Sequence, residues 1–272
     1  MLGAAIIVFR EVLEASLIVG IVAAATRSRP GRERWLAAGV TAGVAGSLLV
    51  AAFTGEIATL ADGAGQELFN AVILGLAVLM LAWHNIWMSR HGREMAQEAQ
   101  RLGADVAAGR RDMSALTLVV ALAVTREGSE TALFLYGLLA GGDGSKLALA
   151  AGGALGLGLG ALAGYALYRG ALRIPTRQLF AVTGSLILLL AAAMASQFAR
   201  LLIQADLLPS LGSPLWDSSW LLTDRSPLGS LLHVLVGYEA TPAGMQVLFY
   251  AATLAAITAG MRWSASFSRL PR

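Results

Sequence analysis

Hydrophobic residues in this chain neither alternate with polar ones nor return every three or four positions as a single stripe; they come in long blocks. Apolar runs cover 2–25, 35–54, 68–88, 115–139, 147–168, 179–203 and 245–262. At about 1.5 Å of rise per residue, a helix of this length crosses a hydrocarbon core of about 30 Å. The pattern predicts seven transmembrane helices and no sheet.

Two of the blocks carry charge where it costs most. In Phe9-Arg10-Glu11-Val12-Leu13-Glu14-Ala15-Ser16 the carboxylates fall roughly 14 to 18 Å below Leu2, about half way through the bilayer. Thr125-Arg126-Glu127-Gly128-Ser129-Glu130-Thr131 repeats the pattern inside the fourth block. Ionisable residues at that depth mark an ion or proton path. The repeat extends further, with Ala38-Gly39 and Gly43 in the second block matching Ala151-Gly152 and Gly156 in the fifth. Leu68-Phe69, opening the third block, matches Leu179-Phe180, opening the sixth. Three helices precede the fourth, so the two halves enter the membrane from opposite sides. Inverted three-helix repeats of this kind hold their substrate near the midplane.

Composition narrows the class. The 272 residues are 57% hydrophobic and 14% charged, against about 25% charged in a soluble domain, and the mean hydropathy is +0.68. Cysteine is absent, which excludes disulfides and thiolate metal sites. A net charge of +3 and a pI near 9.7 reflect arginines gathered in short loops, a topology signal rather than nucleic-acid binding. Met1 to Val8 has no basic residue, so the first helix is expected in the mature protein rather than in a cleaved signal.

Arg27, Arg29, Arg32 and Arg34 in the first loop, Arg90, Arg93, Arg101, Arg110 and Arg111 in the segment 89–114, Arg169, Arg173 and Arg177 in the fifth loop, and Arg269 and Arg272 in the tail read as cytoplasmic. Glu56, Asp62 and Glu67 in the second loop, and Asp206, Asp217, Asp224 and Glu239 against Arg225 in the connection 204–244, read as outer. The N-terminus is then outside and the C-terminus cytoplasmic. Trp35, Trp83, Trp87 and Trp263 fall at cytoplasmic helix ends, as an aromatic belt does. The chain is expected to be one membrane domain, with repeat one at about 2–88, a cytoplasmic linker at 89–114, repeat two at 115–204, an outer loop at 205–244 and a seventh helix at 245–262. The linker suits a surface helix with Met95, Leu102 and Val106 on one face. Gly152, Gly156, Gly160 and Gly164 leave one face of the fifth helix nearly bare backbone, which suits close helix packing.

Glutamates three apart share a helix face, so each motif presents two carboxylates together. Facing each other, Glu11, Glu14, Glu127 and Glu130 offer oxygens for a hard cation. Arg10 and Arg126, four residues before the second glutamate, are placed to pair with it. Four carboxylates and two guanidiniums leave minus two, which a divalent ion takes to neutrality and a trivalent ion to plus one, so the tally admits either charge state. When empty, such a cluster binds protons that a metal displaces. An internally paired structural lock and a proton relay are the competing readings of the same residues.

Other candidates carry less. His84 with Asn85 and Met88 form a candidate exit set, against the expectation that His84 is a belt residue beside Trp83 and Trp87. Gln197, with Met194, Arg200 and Gln204, lies at helical spacing on the sixth helix, either lining a path or bonding to neighbouring helices. His91 and His233 show no informative spacing.

The doubled Arg-Glu-x-x-Glu, in the first and fourth of seven helices, resembles the oxidase-dependent iron transporter family of fungal high-affinity iron permeases and bacterial iron uptake permeases. The family form is Arg-Glu-Gly-Leu-Glu; here Val12 stands in place of the glycine in the first copy and Ser129 in place of the leucine in the second. Trp216-Asp217-Ser218-Ser219-Trp220 and Gly237-Tyr238-Glu239 are similar to bacterial members. The resemblance implies a multi-pass inner-membrane permease, not an enzyme, with iron as transported substrate and no prosthetic group. It implies Glu11, Glu14, Glu127 and Glu130 as iron-handling residues, Asp217 and Glu239 as outer-loop capture residues, where each alone reads as an ordinary solvated loop charge, and an extracytoplasmic oxidase, peroxidase or delivery protein as partner. A permease for another cation such as manganese or lead, or a membrane metal sensor or scaffold that binds without transporting, stays open. So do the oxidation state of the iron and the oligomeric state.

Overall fold

Backbone polar groups away from water must be satisfied within the segment, so apolar blocks of this length coil into helices. The computed structural model describes residues 1–60, 66–142, 145–170, 176–224 and 226–267. Among them are eight helices and no strand: α1 (Leu2–Ala25), α2 (Arg32–Leu60), α3 (Gln66–Ala107), α4 (Ser114–Ala140), α5 (Lys146–Tyr168), α6 (Thr176–Gln204), α7 (Pro227–Val236) and α8 (Gly244–Phe267). Segments Arg32–Thr54, Leu68–Met88, Lys146–Tyr168, Phe180–Gln204 and Gly244–Trp263 are long and apolar enough to cross a membrane. α1 and α4, at 24 and 27 residues, match them in length and differ in carrying three charges each.

Two elements depart from the expected plan. The linker is no separate surface helix: α3 runs unbroken to Ala107, and its extension packs Ala99 and Val106 against Val22 of α1 and Leu116 of α4. The connection 204–244 contains α7, ten residues long and too short to span. Its start is capped by the Ser226 hydroxyl, which accepts from the Gly229 N–H at 2.9 Å, with Pro227 at the first helical position. Its end turns through Gly237 at φ 71°, a left-handed conformation that glycine adopts without strain. Asp62, Arg173, Arg225, Arg269 and Arg272, and the side chains of Glu56, Glu67, Arg90, Arg93, Arg177 and Leu179, lie outside the described residues.

Packing follows the small residues. α2 lies along α4, with Gly39 against Val120, Gly43 against Val124 and Gly46 against Thr125. α5 lies along α1 in the same manner, with Gly152 against Met1 and Ala4, Gly156 against Ala5 and Val8, Gly160 against Val12 and Gly164 against Ser16. Each glycine-rich helix thus clamps the charged helix of the other half. Small residues let backbones approach this closely in lipid, where no water-driven force brings helices together. The departure at Val12 fits its seam: Val12 meets Gly160, while the glycine kept in the second copy, Gly128, meets Ser47, so each contact keeps one small partner. α3, α6 and α8 pack behind the pair, around a core that includes Leu74, Leu81, Phe134, Ile187 and Met194.

Gly156 and Gly158 therefore separate packing from helix propensity within one helix. A Cβ at Gly156 would sit 2.9 Å from the Phe9 nitrogen, whereas one at Gly158 meets nothing within 4 Å. Gly156→Val is expected to lower stability by about 1 to 3 kcal/mol through overpacking, read as a lower melting temperature in detergent, and Gly158→Val to leave it nearly unchanged. Equal melting of the two variants would remove the seam from the account.

Candidate metal centre

α1 and α4 cross where their charges are, and α3 crosses both at His84. Arg10, Glu11 and Glu14 are each at most 2% exposed, Glu127 is 2% and His84 4% exposed. Arg10 Nε pairs with Glu14 Oε1 at 2.9 Å and its Nη1 lies 3.6 Å from Glu11 Oε1. The second motif repeats this arrangement, with Arg126 Nε 3.1 Å from Glu130 Oε1 and 3.8 Å from Glu127 Oε1. It is more open: the side chain of Arg126 is 35% exposed against 3% for Arg10. Arg126 also sits over the Trp87 ring at 4.4 Å and donates to Met95 Sδ.

His84 joins the two halves. Its Nδ1 contacts Glu130 Oε2 and its Nε2 lies 3.6 Å from Glu14 Oε2. One ligand atom from each of Glu11, His84, Glu127 and Glu130 lies within 4.8 Å of the others. Both oxygens of Glu11 and both of Glu127 are buried without a hydrogen-bond partner among the described residues. Groups in that condition cost free energy until something binds them. Carboxylate oxygens plus one imidazole nitrogen can coordinate a divalent transition-metal ion.

The remaining candidates lie elsewhere. The belt reading of His84 does not hold, because the ring is buried among carboxylates. Its neighbour Asn85 donates to the Gly184 carbonyl at 3.2 Å and ties α3 to α6. Met88, one turn further along α3, is half-buried. Gln197 is buried at the opposite end of α6 from Gly184, with its amide 3.3 Å from His233 Nε2 and its oxygen against Gly141. Asp217 is exposed and closes a turn on Ser219, whose hydroxyl and backbone N–H hold its carboxyl below the usual carboxylate range. Glu239 is engaged by Gln246 Nε2 at 2.5 Å and by Arg200 Nη1 at 3.7 Å, and Arg200 also donates to the Gly141 carbonyl at 3.4 Å. That latch ties the loop after α7 to α4, α6 and α8, so Glu239 fastens the loop rather than standing free in it.

Two clefts reach the centre. One, of about 630 Å³, runs between the α1–α5 and α2–α4 pairs and ends at Glu11 and Glu127. The other, of about 620 Å³, runs along α3 and α4 past Trp83 and Trp87 to His84 and Glu130.

Glu239→Ala is expected to release both Gln246 and Arg200. Limited proteolysis between 207 and 224 should then quicken several-fold, with no change for Asp217→Ala; equal rates in wild type and Glu239→Ala would mean the latch holds nothing.

The profile of the Iron permease FTR1 family matches residues 1–271. A "Ferrous iron permease EfeU" of Escherichia coli O6:H1 is 31% identical over 246 residues, which covers 89% of this chain and 88% of that one. One of Yersinia pestis, under the same description, is 30% identical over 249 residues, covering 90% and 87%. No solved structure matches. With a profile matched from end to end and five or more apolar helices of spanning length, this chain is a multi-pass membrane protein and belongs to the FTR1 iron permease family.

Proposed function

We propose that this protein imports ferrous iron across the cytoplasmic (inner) membrane through a midplane site made by Glu11, Glu14, Glu127, Glu130 and His84. The observation that carries the reading is the set of buried carboxylate oxygens of Glu11 and Glu127 without hydrogen-bond partners, gathered within 4.8 Å of a buried imidazole. A structural lock is the weaker account, because buried ion pairs bring little net stability and a lock would leave no such oxygens unmet. The nitrogen donor favours a ferrous over a ferric substrate, since an all-oxygen shell suits the harder ion better. The relatives' description as ferrous iron permeases points the same way. With Arg10 and Arg126 charged, the five groups and their arginines carry minus two when His84 is neutral, and a ferrous ion brings the centre to neutrality. Loading a protonated site displaces protons, which makes iron–proton exchange chemically available.

The reading includes two inverted three-helix repeats, seven spanning helices, an outer N-terminus and a cytoplasmic C-terminus. In support, contacts recur in matching order across the halves: Gly43 with Val124 answers Gly156 with Val8, and Ser47 with Gly128 answers Gly160 with Val12. The arginine-rich 26–34 loop meets the α3 extension at one end of the bundle, where Arg29 donates to the Val106 carbonyl at 3.0 Å. At the other end, beside Gly141 at the C-terminus of α4, Glu239 of the acidic 205–244 segment pairs with Arg200. The positive-inside rule makes the first end cytoplasmic.

Iron accumulation in proteoliposomes, with ferrous and ferric iron supplied separately, tests the site. Glu14→Gln and Glu130→Gln are each expected to abolish ferrous uptake while the protein keeps its melting temperature within a few degrees. His84→Gln, which keeps a polar group but weakens the ligand, is expected to cut uptake by about tenfold or more, since even the loss of a residue that only orients a metal ligand costs about that much. Uptake equal to wild type in the two glutamine variants would make the carboxylates structural. Iron binding without accumulation in wild type would make the protein a sensor.

A further inference from the structure

The cleft between the α1–α5 and α2–α4 pairs reaches the proposed iron site, but the stretch from those carboxylates to its mouth has no part in the transport reading. Its walls are apolar side chains of Val12, Val19, Val40, Val44, Leu157 and Ala161, and its inner end is the Glu11–Glu127 carboxylate pair. At its mouth stand Arg32 and Tyr168. The Tyr168 hydroxyl faces the guanidiniums of Arg27 and Arg32. Arg27 also lies over the Tyr168 ring at 5.2 Å, and Arg169 over the Tyr165 ring at 5.7 Å. None of these three arginines has a carboxylate within 4 Å among the described residues, although Glu33 stands at the same mouth.

Between the carboxylates and its mouth the channel suits a lipid tail better than a cation. Its lining is mostly apolar, with neutral hydroxyls such as those of Ser16 and Ser47 as its polar groups, and the arginines at its mouth repel positive charge while they attract a phosphate. From Glu11 to Ala23, α1 rises about 18 Å, close to the depth of one leaflet, which is about 20 Å with its headgroups. We propose that this cleft holds one anionic phospholipid, with an acyl chain between the two helix pairs and its phosphate at Arg27, Arg32 and Arg169. The tail end then closes the membrane side of the Glu11–Glu127 pair, keeping the carboxylates out of contact with loosely packed lipid and water. The cytoplasmic leaflet, where these arginines are expected, is the one rich in anionic lipid. The assignment stands on the cleft and its mouth, and holds whether or not the carboxylates carry iron.

Native mass spectrometry of the full-length protein tests it. Delipidated protein is titrated in mixed micelles with phosphatidylglycerol or with phosphatidylcholine. Wild type is expected to retain one phosphatidylglycerol per chain, preferred over phosphatidylcholine by about tenfold or more, as arginines facing one phosphate at a membrane surface give. Arg27→Gln with Arg169→Gln, both exposed positions that leave the helix seams intact, should bring phosphatidylglycerol down to the phosphatidylcholine level. Ala161→Trp, which fills the groove, should lower retention of both lipids with an unchanged elution profile. Equal retention of the two lipids by wild type, or retention untouched by the arginine pair, overturns the assignment. So does a lipid-free dimer that Ala161→Trp converts to monomer, because a second copy of the chain would then be what covers the cleft.

Discussion

Everything in this fold answers to the cost of taking charge out of water. Moving a carboxylate or guanidinium into a low-dielectric interior costs several kcal/mol even after relaxation, and α1 alone holds three such groups at most 2% exposed. Two devices meet that cost in part. Each arginine pairs back along its own helix to the second glutamate, and His84 reaches across to the second glutamates of both helices. The first glutamate of each motif faces its counterpart with a longer contact to its arginine, 3.6 Å at Glu11 and 3.8 Å at Glu127, and with oxygens that lack a hydrogen-bond partner among the described residues. The seams then follow as a requirement: α1 and α4 must cross closely for the four carboxylates to converge, and the bare faces of α5 and α2 permit the outer packing to close around that crossing.

The parts of this arrangement that were legible in the sequence are those written within one element. Block length gave the long helices, and spacing of three and four placed each motif's charges on one face, because helix periodicity depends only on local geometry. The glycine stripe of α5 could be read for the same reason. The belt expectation for His84 fails because its surroundings come from three helices at once. Trp83 and Trp87 beside it suggested an interface, but a neighbour in sequence points around the helix by about 100°. Trp83 is 72% exposed while His84 is 4% exposed. A signal was present: within the apolar block 68–88, His84 is the single ionisable residue, and the rule applied to the glutamates applies to it as well. The α7 helix was missed in a polar connection, although Ser226-Pro227 and Gly237 are the capping residues that mark a helix start and stop.

The two halves are alike in their seams and unlike at their centre. If α3 and α6 are aligned on Leu68-Phe69 and Leu179-Phe180, the residue answering His84 is Ala195, itself buried at 2%. One imidazole therefore serves four carboxylates. The arginines differ as well, with Arg10 enclosed and Arg126 beside an open cleft under Trp87. A site of perfect two-fold symmetry would hold an ion equally from either side. Placing the one imidazole found at the centre among the described residues against Glu130, on the more open motif, gives the proposed iron path a preferred face.

That single nitrogen also bears on selectivity. Four carboxylates alone would suit magnesium and calcium, which are hard ions and take oxygen ligands. Magnesium demands near-octahedral oxygen coordination and gives up water reluctantly, so it gains little from an imidazole held by packing. A first-row transition ion takes nitrogen and oxygen together, so the imidazole adds to its binding. Among those ions, ligand type sets only a ranking in which copper and zinc bind more tightly than ferrous iron. Tight binding is a disadvantage in a site that must release its ion. A carboxylate-rich shell with one imidazole lies toward the weaker end for such metals, which makes it better suited to passing iron than to storing it.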